Sequence, residues 1–277
     1  MLVSLLQLIR IKDWLKNIII FLPVIFSGNL SNYDKYPELI LVFFIFCFSA
    51  SFIYILNDIL DIKEDRLHSF KKKRKPLAND KLSIKLAVYL LIIFLLLILF
   101  LLLFLNSIIY HIIIYISLNL VYSFFIKKIP VIDLICLSFG YIIRVDAGSV
   151  AIDVKSSFLI IMTIFSLSFF ITSIKRLVEF IYQNKKRISL NFYSSRILNL
   201  FIYLSSIAFL ISCLLFFLQK NLYLLTIFPI LVFFLFRYYK LAINEQRGEF
   251  PIDLVFKDKI LFFICSGFFI LILFLYY

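Results

Sequence analysis

The sequence predicts an all-α polytopic membrane protein, and three observations carry that expectation. The 277-residue chain is 64% hydrophobic and holds 35 Phe, where soluble domains run at roughly 45–50% apolar. Its apolar runs, bounded by charges and turn residues, have the length of membrane spans, about 20 residues each. Its Lys and Arg gather on alternate connections between those runs, as the positive-inside rule requires of a polytopic chain.

The runs predict nine transmembrane helices, near 14–30, 39–57, 84–105, 108–125, 131–150, 156–174, 197–217, 221–239 and 259–277. The first is short and contains Pro23, which neighbouring helices must accommodate. No long soluble insertion or low-complexity linker separates the runs, so residues 1–277 read as one integral membrane domain. With the N-terminus in the cytoplasm, 25 of the 29 Lys and Arg fall on the cytoplasmic side. Only Lys35, Lys155 and Lys220 fall opposite, and Arg144 lies inside a span. Nine crossings then place the C-terminus outside. The net charge of +13 is thereby accounted for as topology and anionic-lipid contact, and a nucleic-acid partner is not expected. The N-terminus lacks a small-x-small cleavage site, so its first apolar run reads as a retained span. Cys47, Cys136, Cys213 and Cys265 stand far apart in apolar runs, with no spacing for a metal site or disulfide framework, and read as buried thiols.

Polar chemistry concentrates on the same cytoplasmic side. At the end of the second run stands NDILDIKEDR, residues 57–66. Asp58, Asp61 and Asp65 fall at i, i+3 and i+7, one face of a helix, with Asn57 beside them. A solvated helix end paired to Lys63 and Arg66 is the plainer alternative. Hard oxygen donors on successive turns suit Mg²⁺, which completes its shell with water and substrate phosphates. The basic run Lys71–Lys75 follows, and beside a metal such lysines would serve its phosphate substrate. A second cluster ends the sixth run as SIKRLVE, with Lys175 and Glu179 at i, i+4. Its position four helices after the first suggests a pseudo-repeat, with helices one to four matched by five to eight and one cavity between two polar walls. Arg144 and Asp146 sit within YIIRVDAGSV, where a charge is costly unless it faces a cavity or a partner. Two residues apart, they do not share a helix face. Tyr122, Lys127 and Lys128 end the fourth helix on the cytoplasmic side. Trp14 reads as an interfacial anchor, His68 as a polar loop residue and His111 as structural at the outer end. No Ser/His/Asp triad, P-loop or dinucleotide fingerprint is present.

NDxxDxxxDR after a hydrophobic span resembles the UbiA-type intramembrane prenyltransferase superfamily. The chain is most similar to its decaprenyl-phosphate phosphoribosyltransferase branch, through IKDWLKN at 11–17, NDILDIKEDRLH at 57–68, the basic stretch ending at Pro76, Arg144, KRLVE at 175–179 and GEFPIDLVFKDKIL at 248–261. It departs from that pattern at Asp146 and Ser149 and by one extra residue in the basic loop. The resemblance implies nine helices in a UbiA-like bundle whose cavity opens to the cytoplasm, in a bacterial inner membrane. It implies Mg²⁺ held by Asn57, Asp58, Asp61 and Asp65, with phosphoribosyl diphosphate and a polyprenyl phosphate lipid as substrates. Asp58, Asp61, Lys175 and Arg176 become the expected catalytic residues. Lys16, Arg66, Lys72, Arg74 and Lys75 become candidates for the donor's phosphates. Arg144, Lys175 and Arg176 become candidates for the 5-phosphate or the lipid phosphate, with Glu179 orienting Lys175. Asn17, Tyr122 and Lys128 complete the expected substrate-binding set. Prenyl transfer to an aromatic or lipid acceptor is the alternative within the fold, and a transporter with a cation site the alternative outside it. A homo-oligomer is left open.

Overall fold

The computed structural model describes residues 2–67, 75–182, 188–244 and 251–276, with Ile188 and Tyr276 described by backbone alone. The helices are α1 (Leu2–Ile9), α2 (Leu22–Phe26), α3 (Tyr36–Leu60), α4 (Ile62–Leu67), α5 (Ile84–Leu102), α6 (Ile109–Phe124), α7 (Ile132–Ala151), α8 (Phe158–Tyr182), α9 (Ser195–Lys220), α10 (Phe228–Asn244), α11 (Pro251–Lys257) and α12 (Lys259–Tyr276). A 3₁₀ segment, Ile11–Phe21, joins α1 to α2. No strand occurs among the described residues. Ser83 and Ser194 cap α5 and α9, each accepting from a backbone N–H three residues on.

Seven helical stretches are long and apolar enough to cross a membrane, by length and composition, and α11 with α12 makes an eighth if that bent pair is one span. The expected crossing at 14–30 is instead the 3₁₀ segment followed by the five-residue α2. Pro23 sets the winding of the segment's last turn: it has no N–H to give to the Ile19 carbonyl, which accepts from Leu22 one residue earlier. The last expected span, 259–277, is α12, and α11 meets it at 96°. Asp258 makes that corner: its carboxylate accepts from the Leu261 N–H at 2.8 Å and from Arg237 at 2.7 Å. The sixth expected span is the first part of α8, which continues through KRLVE to Tyr182, with Arg176 and Glu179 buried and paired.

Three apolar clusters fill the interior. One joins α8, α9 and α10 with α11 and α12 around Phe170, Phe209 and Tyr238. A second joins the 3₁₀ segment and α2 with α3, α6 and α7 around Phe46, Ile20 and Tyr115. The third, around Leu8, Ile55, Leu77 and Phe94, seats α1 and the turn after Lys75 against α3 and α5. The 3₁₀ segment packs on both α3 and α7, and one glycine sets the closeness of that approach. A Cβ on Gly148 would stand 2.1 Å from the Ile20 carbonyl oxygen. Trp14 donates to the Ser51 hydroxyl at 2.9 Å and meets Phe48 edge-on, so it fastens the segment to α3. Cys47, Cys136 and Cys213 are buried thiols and Cys265 is partly exposed.

Gly148→Ala forces the 3₁₀ segment off α7. The expected cost is about 1–3 kcal/mol, read as a lowered melting temperature in detergent. Unchanged melting would contradict the backbone contact at Ile20.

Candidate functional site

The C-terminal end of α3, α4, the turn at 75–82, the N-terminal part of the 3₁₀ segment and the neighbouring ends of α6, α7 and α8 converge at one end of the bundle. There the helix carrying Asp58 stops. Asp61 caps α3 with φ −89° and ψ 6°, and its carbonyl accepts from the Asp65 N–H at 2.9 Å. The break leaves Asp58 in the last turn of the 25-residue α3, Asp61 at its cap and Asp65 in the short α4. Asp58 and Asp65 are each only 2% exposed, while Asp61 is about one-third exposed.

Each carboxylate meets a protein cation. Lys75 Nζ lies 2.8 Å from Asp58 Oδ1 and 2.5 Å from Asp65 Oδ2, so one ammonium bridges two buried acids. Arg10 donates to the same Asp58 oxygen at 2.9 Å and lays its guanidinium 4.5 Å from the Tyr54 ring centre. Lys127 approaches Asp61 at 3.4 Å. Burial alone would lower the Lys75 pKa, but Asp58 and Asp65 outweigh it and hold that pKa above the ordinary lysine value. Asn57 is half-buried beside the cluster. Arg66 is exposed and pairs with Asp80. Lys72, Arg74 and His68 lie outside the described residues.

Lys16 reaches Asp13 at 2.5 Å. Burial would raise the Asp13 pKa, yet Lys16, Arg10 and Lys175 together hold it below the usual carboxylate range. Lys175 therefore stands within electrostatic reach of the N-terminal segment, which links the second polar motif to the first. Lys175 itself is partly exposed.

Arg176 is different. It is 1% exposed and its donors are occupied by Asp133 Oδ2 at 2.7 Å, Glu179 Oε2 at 2.8 Å and the Tyr122 hydroxyl at 3.1 Å. The Tyr193 hydroxyl donates to the other Asp133 oxygen at 2.8 Å and accepts from the Val131 N–H at 2.5 Å. Val131 takes φ +66°, an unfavourable conformation for a β-branched residue, and this hydrogen bond helps hold it there. The spacing in the sequence assigns Glu179 to Lys175, and the structure gives it a bond to Arg176 three residues away. Tyr122 enters the site as an acceptor for Arg176. Lys128 is exposed.

Arg144 lies a layer deeper, 6% exposed. It donates to the Asn17 side chain at 2.6 Å, the Gly140 carbonyl at 2.6 Å and the Tyr115 hydroxyl at 2.7 Å. Asn17 is fully buried, so both residues tie the 3₁₀ segment to α7 and stand apart from the carboxylate cluster. Asp146 faces another way and meets His111 at 2.9 Å and Ser156 at 2.6 Å at the opposite end. An apolar groove of about 510 Å³ between α10 and α12 and a smaller cavity of about 210 Å³ near Ser156 both lie away from the acids.

Arg10, Asp13, Asp133 and Tyr193 are absent from the residues singled out by sequence. Arg10 reads there as topology, and Asp133 and Tyr193 lie 43 and 17 positions from Arg176 with no periodic link to it. The adjacency of Asp13 to Lys16 in IKDWLKN is the one signal that could have found a member of this set.

Among the described residues no three carboxylates, histidines or cysteines stand close enough together to hold a metal ion. Asp58 and Asp65 share the Lys75 ammonium, while Asp61 turns to Lys127.

Residues 20–251 match the family described as the UbiA prenyltransferase family. A decaprenyl-phosphate phosphoribosyltransferase of Corynebacterium glutamicum is 30% identical over 183 residues, which cover 64% of this chain and 54% of that protein. The nodulation protein NoeC of Azorhizobium caulinodans is 36% identical over 173 residues, covering 61% and 55%. The chain thus spans about half the length of these curated relatives. Among solved structures, a UbiA homolog from Archaeoglobus fulgidus bound to GPP and Mg²⁺ superposes with a TM-score of 0.73 at 21% identity, covering 98% of this chain and 99% of that one. This likeness extends the family match to the fold of almost the whole chain.

Asp133→Asn removes one of two anionic partners from buried Arg176. Breaking a buried pair on one side costs about 3–5 kcal/mol, and with Glu179 still present the lower end is expected. Thermal unfolding in detergent measures it, and an unshifted midpoint would contradict the network.

Proposed function

The chain belongs to the UbiA prenyltransferase family, and on that premise we propose that it transfers the 5-phosphoribosyl group of phosphoribosyl diphosphate to a polyprenyl phosphate. The C1–O bond to diphosphate breaks, a lipid phosphate oxygen bonds to C1 from the opposite face, and polyprenyl-phosphoryl 5-phosphoribose and diphosphate are the products. The observation that carries this reading is the chemistry of the second wall. In KRLVE the cation available to a substrate is Lys175, whose charge acts on Asp13 of the segment that also carries Lys16, and a reaction between two polyanions needs such a cation; Arg176 is taken up by Asp133, Glu179 and Tyr122. The name of the Corynebacterium relative agrees with it. The GPP in the solved homolog favours prenyl transfer as the second reading; a donor of that kind calls for a second acidic pair to hold metal, and KRLVE does not supply one.

Asn57, Asp58, Asp61 and Asp65 would hold Mg²⁺, which when bound supplies Lewis-acid neutralisation of the leaving diphosphate. Lys75 and Arg10 lie against the same acids and are placed to meet the diphosphate oxygens. Lys16 extends that cationic surface toward the second wall. Lys175 attracts and orients the phosphate at that wall. Arg176 is held rigid by Asp133, Glu179 and Tyr122 and sets the position of the helix turn that presents Lys175. A phosphate monoester is anionic at neutral pH, so its oxygen attacks without a general base, and none of the site residues needs to take a proton. Catalysis then rests on positioning and electrostatics. The charge asymmetry of the sequence supports an orientation with this end in the cytoplasm of a bacterial inner membrane.

Purified protein given radiolabelled phosphoribosyl diphosphate, Mg²⁺ and polyprenyl phosphate is expected to carry label into the organic phase only when both Mg²⁺ and the lipid are present. Label-free lipid from active protein, with product from a prenyl diphosphate instead, would overturn the reading. Asp58→Asn and Asp61→Asn are each expected to slow transfer roughly 100-fold or more, with melting monitored to exclude unfolding. Lys175→Ala is expected to raise the KM of one phosphate substrate about tenfold, the value of one charge-assisted hydrogen bond; unchanged kinetics would remove Lys175 from the site.

A further inference from the structure

At the end of the bundle opposite the carboxylates, a cavity of about 210 Å³ lies between α2, α7, the connection at 152–157 and the neighbouring ends of α8 and α9. Pro23, Val145 and Ile160 give it an apolar lining, and Ser149, Lys155, Ser157 and Lys220 give it donors. No carboxylate lines it among the described residues. Asp153 is turned to Lys35 at 2.8 Å, and Asp146 accepts from Ser156 at 2.6 Å and meets His111 at 2.9 Å.

Three features of this cavity suit an anion. The sequence puts only Lys35, Lys155 and Lys220 on this side, where the positive-inside rule keeps cations few. Two of those three line one cavity, while Lys35 stands with Asp153. Ser149 is 2% exposed and lines the cavity, yet its hydroxyl makes no hydrogen bond among the described residues. Ser138 on the same helix, by contrast, bonds back to the Leu134 carbonyl at 3.0 Å. A buried hydroxyl without a partner is destabilising, and a ligand oxygen supplies the acceptor. Ser157 precedes the 25-residue α8 and Ile160 lies in its first turn. The N–H groups there have no partner within the helix, and the helix dipole favours negative charge beside them. Ser149 is also a departure from the branch pattern that the sequence otherwise resembles, so the feature is particular to this chain.

We propose that this cavity binds a phosphate group, that of an anionic lipid in the leaflet opposite the carboxylate end: Lys155 and Lys220 meet the phosphate oxygens, Ser149 donates from the inner wall, and the apolar lining takes the carbons beside the phosphate. A free phosphate ion has the same charge chemistry and lacks the carbons. Elements from both halves of the chain, α2 and α7 on one side and α8 and α9 on the other, would then be tied through one ligand. The proposal is independent of the transfer reaction, and no covalent bond is made or broken.

Phosphatidylglycerol serves as the lipid probe, its binding to the purified protein followed by native mass spectrometry from detergent. Inorganic phosphate serves as the second probe, read as a shift in melting temperature. Lys155→Gln and Lys220→Gln are each expected to weaken phosphatidylglycerol binding about tenfold, the value of one charge-assisted hydrogen bond. Ser149→Ala removes the inner donor with little change of volume and is expected to weaken it in the same direction. Lys35→Gln takes a cation from the same side without touching the cavity, and is expected to bind as wild type does. Phosphate that raises the melting temperature of wild type and not of Lys155→Gln, with no lipid retained, keeps the site and makes its ligand the free ion. Equal lipid binding by wild type, Lys155→Gln and Lys220→Gln overturns the proposal. So does an equal loss in Lys35→Gln, or no response of wild type to either probe.

Discussion

A carboxylate withdrawn from water must have a positive charge against it, and at Asp58 and Asp65 the shared partner is a lysine from the next turn of chain. That bridge decides much of the polar end of this membrane protein. It closes the turn at 75–82 onto α3 and α4, and it draws α1 and Arg10 into the same knot. Without it Asp58 would keep Arg10 and both acids, at 2% exposure, would lose a cation in a place where a buried charge is costly. In hydrocarbon surroundings that cost is higher still, which is why ionisable residues at membrane depth come in compensated groups.

The same constraint repeats across the bundle with other residues. Arg176 is enclosed by Asp133, Glu179 and two tyrosines, and Arg144 by Asn17, Tyr115 and a main-chain carbonyl. These sets differ in what they leave available. Arg176 and Arg144 have their guanidinium edges occupied and act as frame. Lys75, Lys16 and Lys175 present single ammonium groups on flexible stems, and under the proposed function these would meet the polyanionic substrates. Rigid arginines and mobile lysines thus divide structure from ligand capture in a way that follows from their chemistry.

Much of this was legible in the sequence where the signal is local. The apolar runs mark the seven long helices to within a few residues at most ends; of the i, i+3, i+7 acids, Asp58 and Asp65 meet over Lys75, while Asp61 caps the helix that breaks between them and pairs with Lys127. Arg144 and Asp146 face different partners, as positions two residues apart on a helix do. The 3₁₀ winding of 11–21 was not legible, since Pro23 bears only on its last turn at Ile19. The burial of Arg176 and Glu179 was not legible either, because Asp133, 43 residues back, holds the guanidinium. Such pairings between distant helices leave no periodicity for a sequence pattern to carry. The part played by Arg10 is of the same kind: a basic residue near the N-terminus serves topology by rule, and only its contact with Asp58 shows the second role.

The proposed transfer brings a metal and the diphosphate of phosphoribosyl diphosphate to the acids at the end of α3. The most direct measurement is a structure of the protein with Mn²⁺ and phosphoribosyl diphosphate, recorded at the manganese absorption edge. The account predicts an anomalous peak beside the carboxylates of Asp58, Asp61 and Asp65, with the diphosphate against it. A peak elsewhere, or substrate bound away from these acids, would contradict it.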